Sequence, residues 1–179
     1  RNSMIAVQCL NNLGYERIGF FGNTEFDGRT DGNFTAGYRT ATKKMAHSKN
    51  IPFLLTRENS KLSETLVEIR KWIAHWQIDA VVCVTGMQDL LVKAGCRIPE
   101  DIAVALLNTQ AEFQEFAGMD EQGFRTGAAA VDCLVGMIHR GERGVPEVPY
   151  QMLIEGKWMD GPTAPPVANR MARRDPKKD

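Results

Sequence analysis

The chain has 179 residues, with 22 Lys and Arg against 22 Asp and Glu, a size that suits one domain or a large piece of one and can bury a real core. Its composition, 43% hydrophobic and 25% charged, is that of an ordinary globular protein, and no apolar run approaches the roughly 20 residues of a membrane-spanning helix, which excludes that class. The zero net charge hides an asymmetry: five of the basic residues and only two of the acidic ones fall in Arg170 to Asp179. The remainder is slightly negative, a poor basis for binding nucleic acid by charge alone.

The chain opens with Asn2 to Leu13, where Ile5, Cys9 and Leu13 form one stripe flanked by Ala6 and Leu10, and it stops at Gly14. The spacing predicts an amphipathic helix with an Asn-Ser start. This opening lacks the apolar core and cleavage site of a secretory leader, so the expected location is the cytoplasm, or else the true start lies upstream. Arg17 to Phe21 reads as a compact strand and Gly22 to Asn33 as a polar loop. Phe34, Tyr38, Ala41 and Met45 mark a second helix, and Ile51 to Leu55 a second strand.

Leu62 to Trp76 follows the helical period, with Ser60 as its expected N-cap. Asp79 to Val84 is a third strand whose lack of alternation implies burial on both faces. A short helix from Met87 to Ala94 stops at Gly95, and Ile102 to Leu107 is a fourth strand. Strands alternating with helices predict an open, doubly wound, mainly parallel α/β sheet in three layers. Beyond it come a polar stretch to Gln122, a helix from Phe124 to His139, a strand from Val148 to Ile154, and a solvated basic tail over residues 161–179 that begins among Pro162, Pro165 and Pro166.

Cys9, Cys83, Cys96 and Cys133 have no C-x-x-C spacing, and His47, His75 and His139 are scattered, which argues against a metal centre or a disulfide framework. No phosphate loop, dinucleotide loop, nucleophile elbow or zinc-protease motif is present, so nothing in the residues supports catalysis. In an open parallel sheet, ligands bind beyond the carboxyl ends of the strands. The candidates there are Asn23 and Thr24, Thr56 and Arg57, Thr85 and Gly86, and Asn108 to Gln110. These hydroxyls and amides suit a neutral polyol better than a phosphate, although Ser, Thr and Asn also cap helices and make turns at such positions.

The runs LNNLGYERIGFFG, GYRTA, IDAVVC, AGCRIPEDIAVALLN and GAAAVDCLVGMIHRGERGVPEVPYQMLIEGKWMDGPT resemble the effector-binding region of the LacI/GalR family of bacterial transcriptional regulators. The most specific element is Ile98 to Ile102 with Val104, and the likeness covers nearly the whole chain up to Thr163. In that family a helix-turn-helix domain precedes a two-lobed sensor similar to periplasmic sugar-binding proteins. The resemblance implies that residues 1–160 are the C-terminal portion of such a sensor, with 15–110 forming the C-terminal lobe and 1–14 and 120–160 belonging to or leading towards the N-terminal lobe.

The same resemblance implies a cytoplasmic homodimer with no cofactor, which binds a sugar-like effector and meets operator DNA only through an N-terminal domain absent from this chain. The strand-end reading and the resemblance together place the ligand contacts at Asn23, Arg29, Phe34, Thr85, Gly86, Asn108 and Thr109. Several of these depart from the family pattern. Phe34 stands where many members have Arg, Thr85-Gly86 where many have Asn-Asp, and Asn108 where many have an acidic residue. Phe34 lies on a helix stripe where packing is favoured over stacking on a sugar, and Arg29 is either a replacement for the missing donor or a solvated loop residue. A transporter-linked solute-binding protein is the alternative reading, and an enzyme on the same sheet is a third.

Overall fold

The computed structural model describes residues 1–48, 50–57, 59–109, 115–145, 148 and 151–169. Its six-stranded sheet is built from β1 (Ile18–Asn23), β2 (Leu54–Thr56), β3 (Ala80–Cys83), β4 (Ala103–Thr109), β5 (Ala117–Asp120) and β6 (Lys157–Met159), in the order β2-β1-β3-β4-β5-β6. The first five are parallel, and β6 runs antiparallel to β5. The helices are α1 (Asn2–Asn12), α2 (Thr24–Arg29), α3 (Asn33–Thr42), α4 (Leu62–Trp76), α5 (Gln88–Lys93) and α6 (Gly123–His139). The mainly parallel α/β architecture expected from the alternating pattern is the one observed.

Side chains alternate across the central strands and so divide the core in two. Phe20, Val82 and Ala105 face α1 and α3, meeting Ala6, Val7, Leu10 and Tyr38. Phe21, Val81, Cys83, Val104 and Leu106 face α4 and α5, meeting Ile69, Trp72, Leu91 and Ala94. The strand β3 is buried along its whole length, as its continuous apolar run requires. Gly19 is the small residue within β1 because Trp72 lies over it: a Cβ there would sit 2.5 Å from the indole Cη2. Gly14, at φ 96°, provides the left-handed turn that closes α1.

Helix α1 belongs to the sheet it covers. Its buried residues share one core with Phe20 and Val82. Its Asn-Ser start makes no side-chain cap; the Ser3 hydroxyl instead donates to the Phe34 carbonyl at 2.7 Å, joining α1 to α3. Ser60 likewise does not cap α4, whose N-cap position is Lys61. In contrast to α1, no residue of α6 is buried, and Phe124 is 91% exposed.

Three further expectations are corrected. The polar loop after β1 contains α2, nucleated where the Asn23 side chain accepts a hydrogen bond from the Phe26 amide. The polar stretch before Gln122 contains β5, whose four residues carry one large apolar side chain, Met119, beside an alanine, a glycine and an aspartate. Val148 and residues 151–154 are not strand; the last strand is β6, three residues further on. Residues 149, 150 and 170–179 lie outside the described residues, so the expectation for the basic tail concerns them in that part only.

Residues 161–169, expected in the tail, are packed against the body. The Thr163 hydroxyl donates to the Val104 carbonyl at 2.7 Å and accepts from the Ala117 amide at 2.9 Å. The Thr163 carbonyl accepts from the Val104 amide at 2.9 Å. The Tyr15 hydroxyl donates to the Pro165 carbonyl at 2.5 Å, and the Val167 amide donates to the Leu13 carbonyl at 2.9 Å. This segment pairs with Val104, where β4 extends beyond the start of β5. Thr163→Val keeps the shape and removes the hydroxyl, leaving a buried amide and carbonyl short of a partner. We expect a loss of about 1–3 kcal/mol in urea unfolding, and an unchanged midpoint would refute this role for the hydroxyl.

Candidate functional site

Because β1 to β5 are parallel, their carboxyl ends share one edge of the sheet, and the order 2-1-3-4-5 reverses direction between β1 and β3. A crevice opens beyond such a reversal, since the connections leaving the two strands go to opposite faces. Asn23 ends β1 on one side of it, and Thr85 follows β3 on the other. Thr56 ends β2 in register with Asn23, Asn108 and Thr109 end β4, and Gln122 follows β5.

Two of the expected residues form a closed pair. The Thr85 amide donates to Asn108 Oδ1 at 2.9 Å, and the Thr85 hydroxyl donates to the Asn108 carbonyl at 2.7 Å. This arrangement fixes the Asn108 side chain, so that its acceptor is used and its Nδ2 donor is uncommitted among the described residues. Gly86, at φ 94°, turns the chain so that its amide donates to Gln88 Oε1 at 2.6 Å. Thr109 is buried and pairs with Asp120 across the sheet.

The remaining expected residues divide differently. Asn23 is occupied as the cap of α2 but also lines a cavity of about 270 Å³ together with Glu25, Thr56, Arg57 and Ser60. Arg29 and Phe34 converge on Phe26: the two phenyl rings lie 5.4 Å apart, and the guanidinium carbon is 5.9 Å from the Phe26 ring centre. Phe34 also packs against the core shared by α1 and α3. Packing, the favoured role for this stripe position, accounts for it. Arg29 forms no ion pair among the described residues. Gln110 lies outside the described residues.

Sequence reasoning passed over Gln122. Its backbone is left-handed at φ 51°, its amide is held by Asp120 Oδ1 at 2.9 Å, and its Nε2 donates to the Glu155 carbonyl at 2.6 Å. It therefore ties the segment entering α6 to the segment entering β6. The visible signal was its place at the end of a polar stretch directly before Gly123, where a helix begins. Beside it, the Glu121 carboxyl is raised above its ordinary range, first by loss of hydration and then by the neighbouring charge of Asp120.

The chemistry on offer along this edge is hydroxyl, amide and main chain, with charge supplied by Glu25 and Arg57 at one end and by Asp120 and Glu121 at the other. Among the described residues, no three His, Cys, Asp or Glu side chains gather as a metal site, and no helix is long and apolar enough to cross a membrane. Such an edge can hydrogen-bond a neutral ligand rich in hydroxyls.

No family model matches the sequence, and no curated protein matches it. Solved structures do. A LacI-family transcriptional regulatory protein from Corynebacterium glutamicum is similar over 92% of this chain and 65% of its own, at 20% identity and a TM-score of 0.58. The Escherichia coli transcriptional repressor ascG is similar over 92% of this chain and 61% of its own, at 17% identity and a TM-score of 0.66. A LacI-family regulator from Enterococcus faecium, solved with bound ribose, is similar over 93% of this chain and 63% of its own, at 15% identity and a TM-score of 0.62.

The chain therefore has the open, mainly parallel α/β fold found in LacI-family regulators, whose architecture is that of periplasmic binding proteins. It spans less than two thirds of the length of each of these three proteins.

Two measurements probe the local physics of the edge. Asn108→Ala removes the acceptor for the Thr85 amide at a solvent-accessible position, and we expect a loss of about 0.5–1.5 kcal/mol in chemical unfolding; a neutral result would show that water replaces the bond fully. A carboxyl whose folded pKa is raised binds more protons in the native state than in the unfolded one, so stability falls as pH rises from the ordinary glutamate range through the raised value. Glu121→Gln removes that slope. The variant should melt higher than the parent at neutral pH and no higher in acid, and equal melting temperatures at both pH values would contradict the assignment.

Proposed function

We propose that the chain is the C-terminal part of the ligand-sensing region of a LacI/GalR-type transcriptional regulator, working in the cytoplasm and without catalysis. The observation that carries this reading is the structural likeness to several such regulators over more than nine tenths of the chain. The resemblance in the IPEDIAV element supports it, as does a set of neutral hydrogen-bonding side chains along the carboxyl edge of the sheet. Asn23, Thr85, Gly86, Asn108 and Thr109, together with Thr56 and Gln122, would form one wall of the ligand cleft. Arg29 has a secondary place in it through its position beside Phe26.

The ligand class is a sugar or sugar derivative. A neutral wall of amides and hydroxyls fits a polyol, and the departures at Phe34, Thr85 and Asn108 remove the charged contacts that many members of the family use. Sensing works by population shift: the ligand binds one arrangement of the two lobes more tightly than the other, and the difference in affinity is transmitted to DNA binding. DNA contact is assigned to a helix-turn-helix segment outside these 179 residues, and the functional unit is a homodimer.

The bare apolar face of α6, with Val131, Leu134 and Ile138 each more than half exposed, fits a helix whose packing partner belongs to the other lobe. An apolar stripe of this kind is costly in water. The chain on its own is therefore expected to associate, as a dimer, in light scattering, and a monodisperse monomer would count against that.

The decisive test is a thermal-shift screen of the gene product containing this chain against monosaccharides, disaccharides, sugar acids and polyols. A ligand bound only to the native state raises the melting temperature, by an amount set by its concentration over its Kd. The expected result is a stabilising sugar whose effect is lost in Asn108→Ala and Thr85→Ala. Stabilisation that persists undiminished in both variants would remove the ligand from this edge.

A further inference from the structure

A second concavity lies at the opposite end of the sheet from the proposed cleft, between the last turns of α3 and the segment that leads into β2. Its volume is about 420 Å³. The floor is apolar, formed by Ile51, Pro52 and Phe53, and the rim carries Arg39, Lys43 and Asn50.

The floor is rigid for identifiable reasons. The Tyr38 hydroxyl, itself buried, is 3.0 Å from the Ile18 carbonyl and 3.1 Å from the Ile51 carbonyl. The Trp72 indole N–H donates to the Pro52 carbonyl at 2.8 Å. The Thr42 hydroxyl is used within its own helix, donating to the Tyr38 carbonyl at 3.0 Å. What is left at the rim is almost entirely donor: a guanidinium, an ammonium and one amide.

Neither Arg39 nor Lys43 has a carboxylate partner among the described residues. Arg39 is nevertheless held in place, its guanidinium carbon 4.7 Å from the centre of the Phe53 ring. A cation seated on an aromatic face has less entropy to lose on binding an anion than a swinging chain. Lys43 stands one helical turn further on, close enough in register to share the same anion. Part of this charge complements the carbonyl end of α3. That role does not require the apolar floor beneath it or the fixed guanidinium.

We propose that this concavity is a second ligand site, distinct from the cleft at the carboxyl edge, and that it takes a small organic anion. The carboxylate or phosphate head binds between Arg39 and Lys43, and the apolar body lies against Phe53, Ile51 and Pro52. Fixed donors with no competing carboxylate supply the affinity for the head, and the floor selects against fully hydrated inorganic ions.

Amide chemical shifts of the full 179-residue chain, titrated separately with sodium benzoate, sodium phenyl phosphate and inorganic phosphate, test this directly. The two organic anions should move the amides of residues 39–43, 50, 51 and 53, and inorganic phosphate should bind at least about tenfold more weakly because it leaves the floor uncovered. Arg39→Ala combined with Lys43→Ala, both exposed positions, should weaken the organic anions at least about tenfold. Phe53→Leu should do so less, through loss of the guanidinium's seat.

Shifts in this region that survive the double variant would overturn the proposal, as would the absence of any shift there. Equal affinity for inorganic phosphate would overturn the assignment of an organic ligand. Sugar titrations at the carboxyl edge report on the other site and are unaffected by these variants.

Discussion

Parallel pairing at the centre of the sheet is the constraint on which the rest depends. The strand β3 is hydrogen-bonded to β1 on one side and β4 on the other, in matched register from Ala80 to Cys83, and its side chains are buried on both faces. A strand in this position has to be apolar throughout, and parallel neighbours can be joined only by crossovers that cover both faces. Once that is set, five carboxyl ends must emerge along one edge. The polar residues that the sequence places after each apolar run are therefore collected side by side, whatever their identity.

The identity of those residues decides what the edge can do. Thr85 and Asn108 satisfy each other through a main-chain amide and a main-chain carbonyl, so loops from two strands hold a fixed shape without a ligand. This preorganisation limits the entropy lost when something binds. Gln122 extends the same economy to the segment leading into α6 by engaging the Glu155 carbonyl. Phe34 and Arg29, by contrast, gather around Phe26 and add an aromatic cluster at one end of the edge.

What could be read in the sequence was whatever repeated or ran long. The helical period sustained over the 15 residues of α4 and the continuous apolar β3 were visible because burial dictates their pattern. β5 was not, because Ala117 and Gly118 are small and its register depends on Thr163, far along the chain. The short helix α2 depended on a single cap from Asn23, and β6 on pairing with a neighbour that was itself invisible. At the candidate site, the chain positions were legible from topology alone. The Thr85–Asn108 bond and the engagement of Gln122 were not, since both join residues from different strands or segments.

The Thr163 fastener has a consequence for how the protein is made. It closes contacts with Val104 from 59 positions away, and the Tyr15–Pro165 bond spans 150 positions. On a ribosome, α1 and β4 must both wait for the segment around Thr163 to emerge before their last partners arrive. Until then, the amino ends of β4 and β5 present an unpaired amide and carbonyl to solvent. A nascent chain halted before residue 163 would hold most of the core but leave that seam open to water, chaperones and other chains.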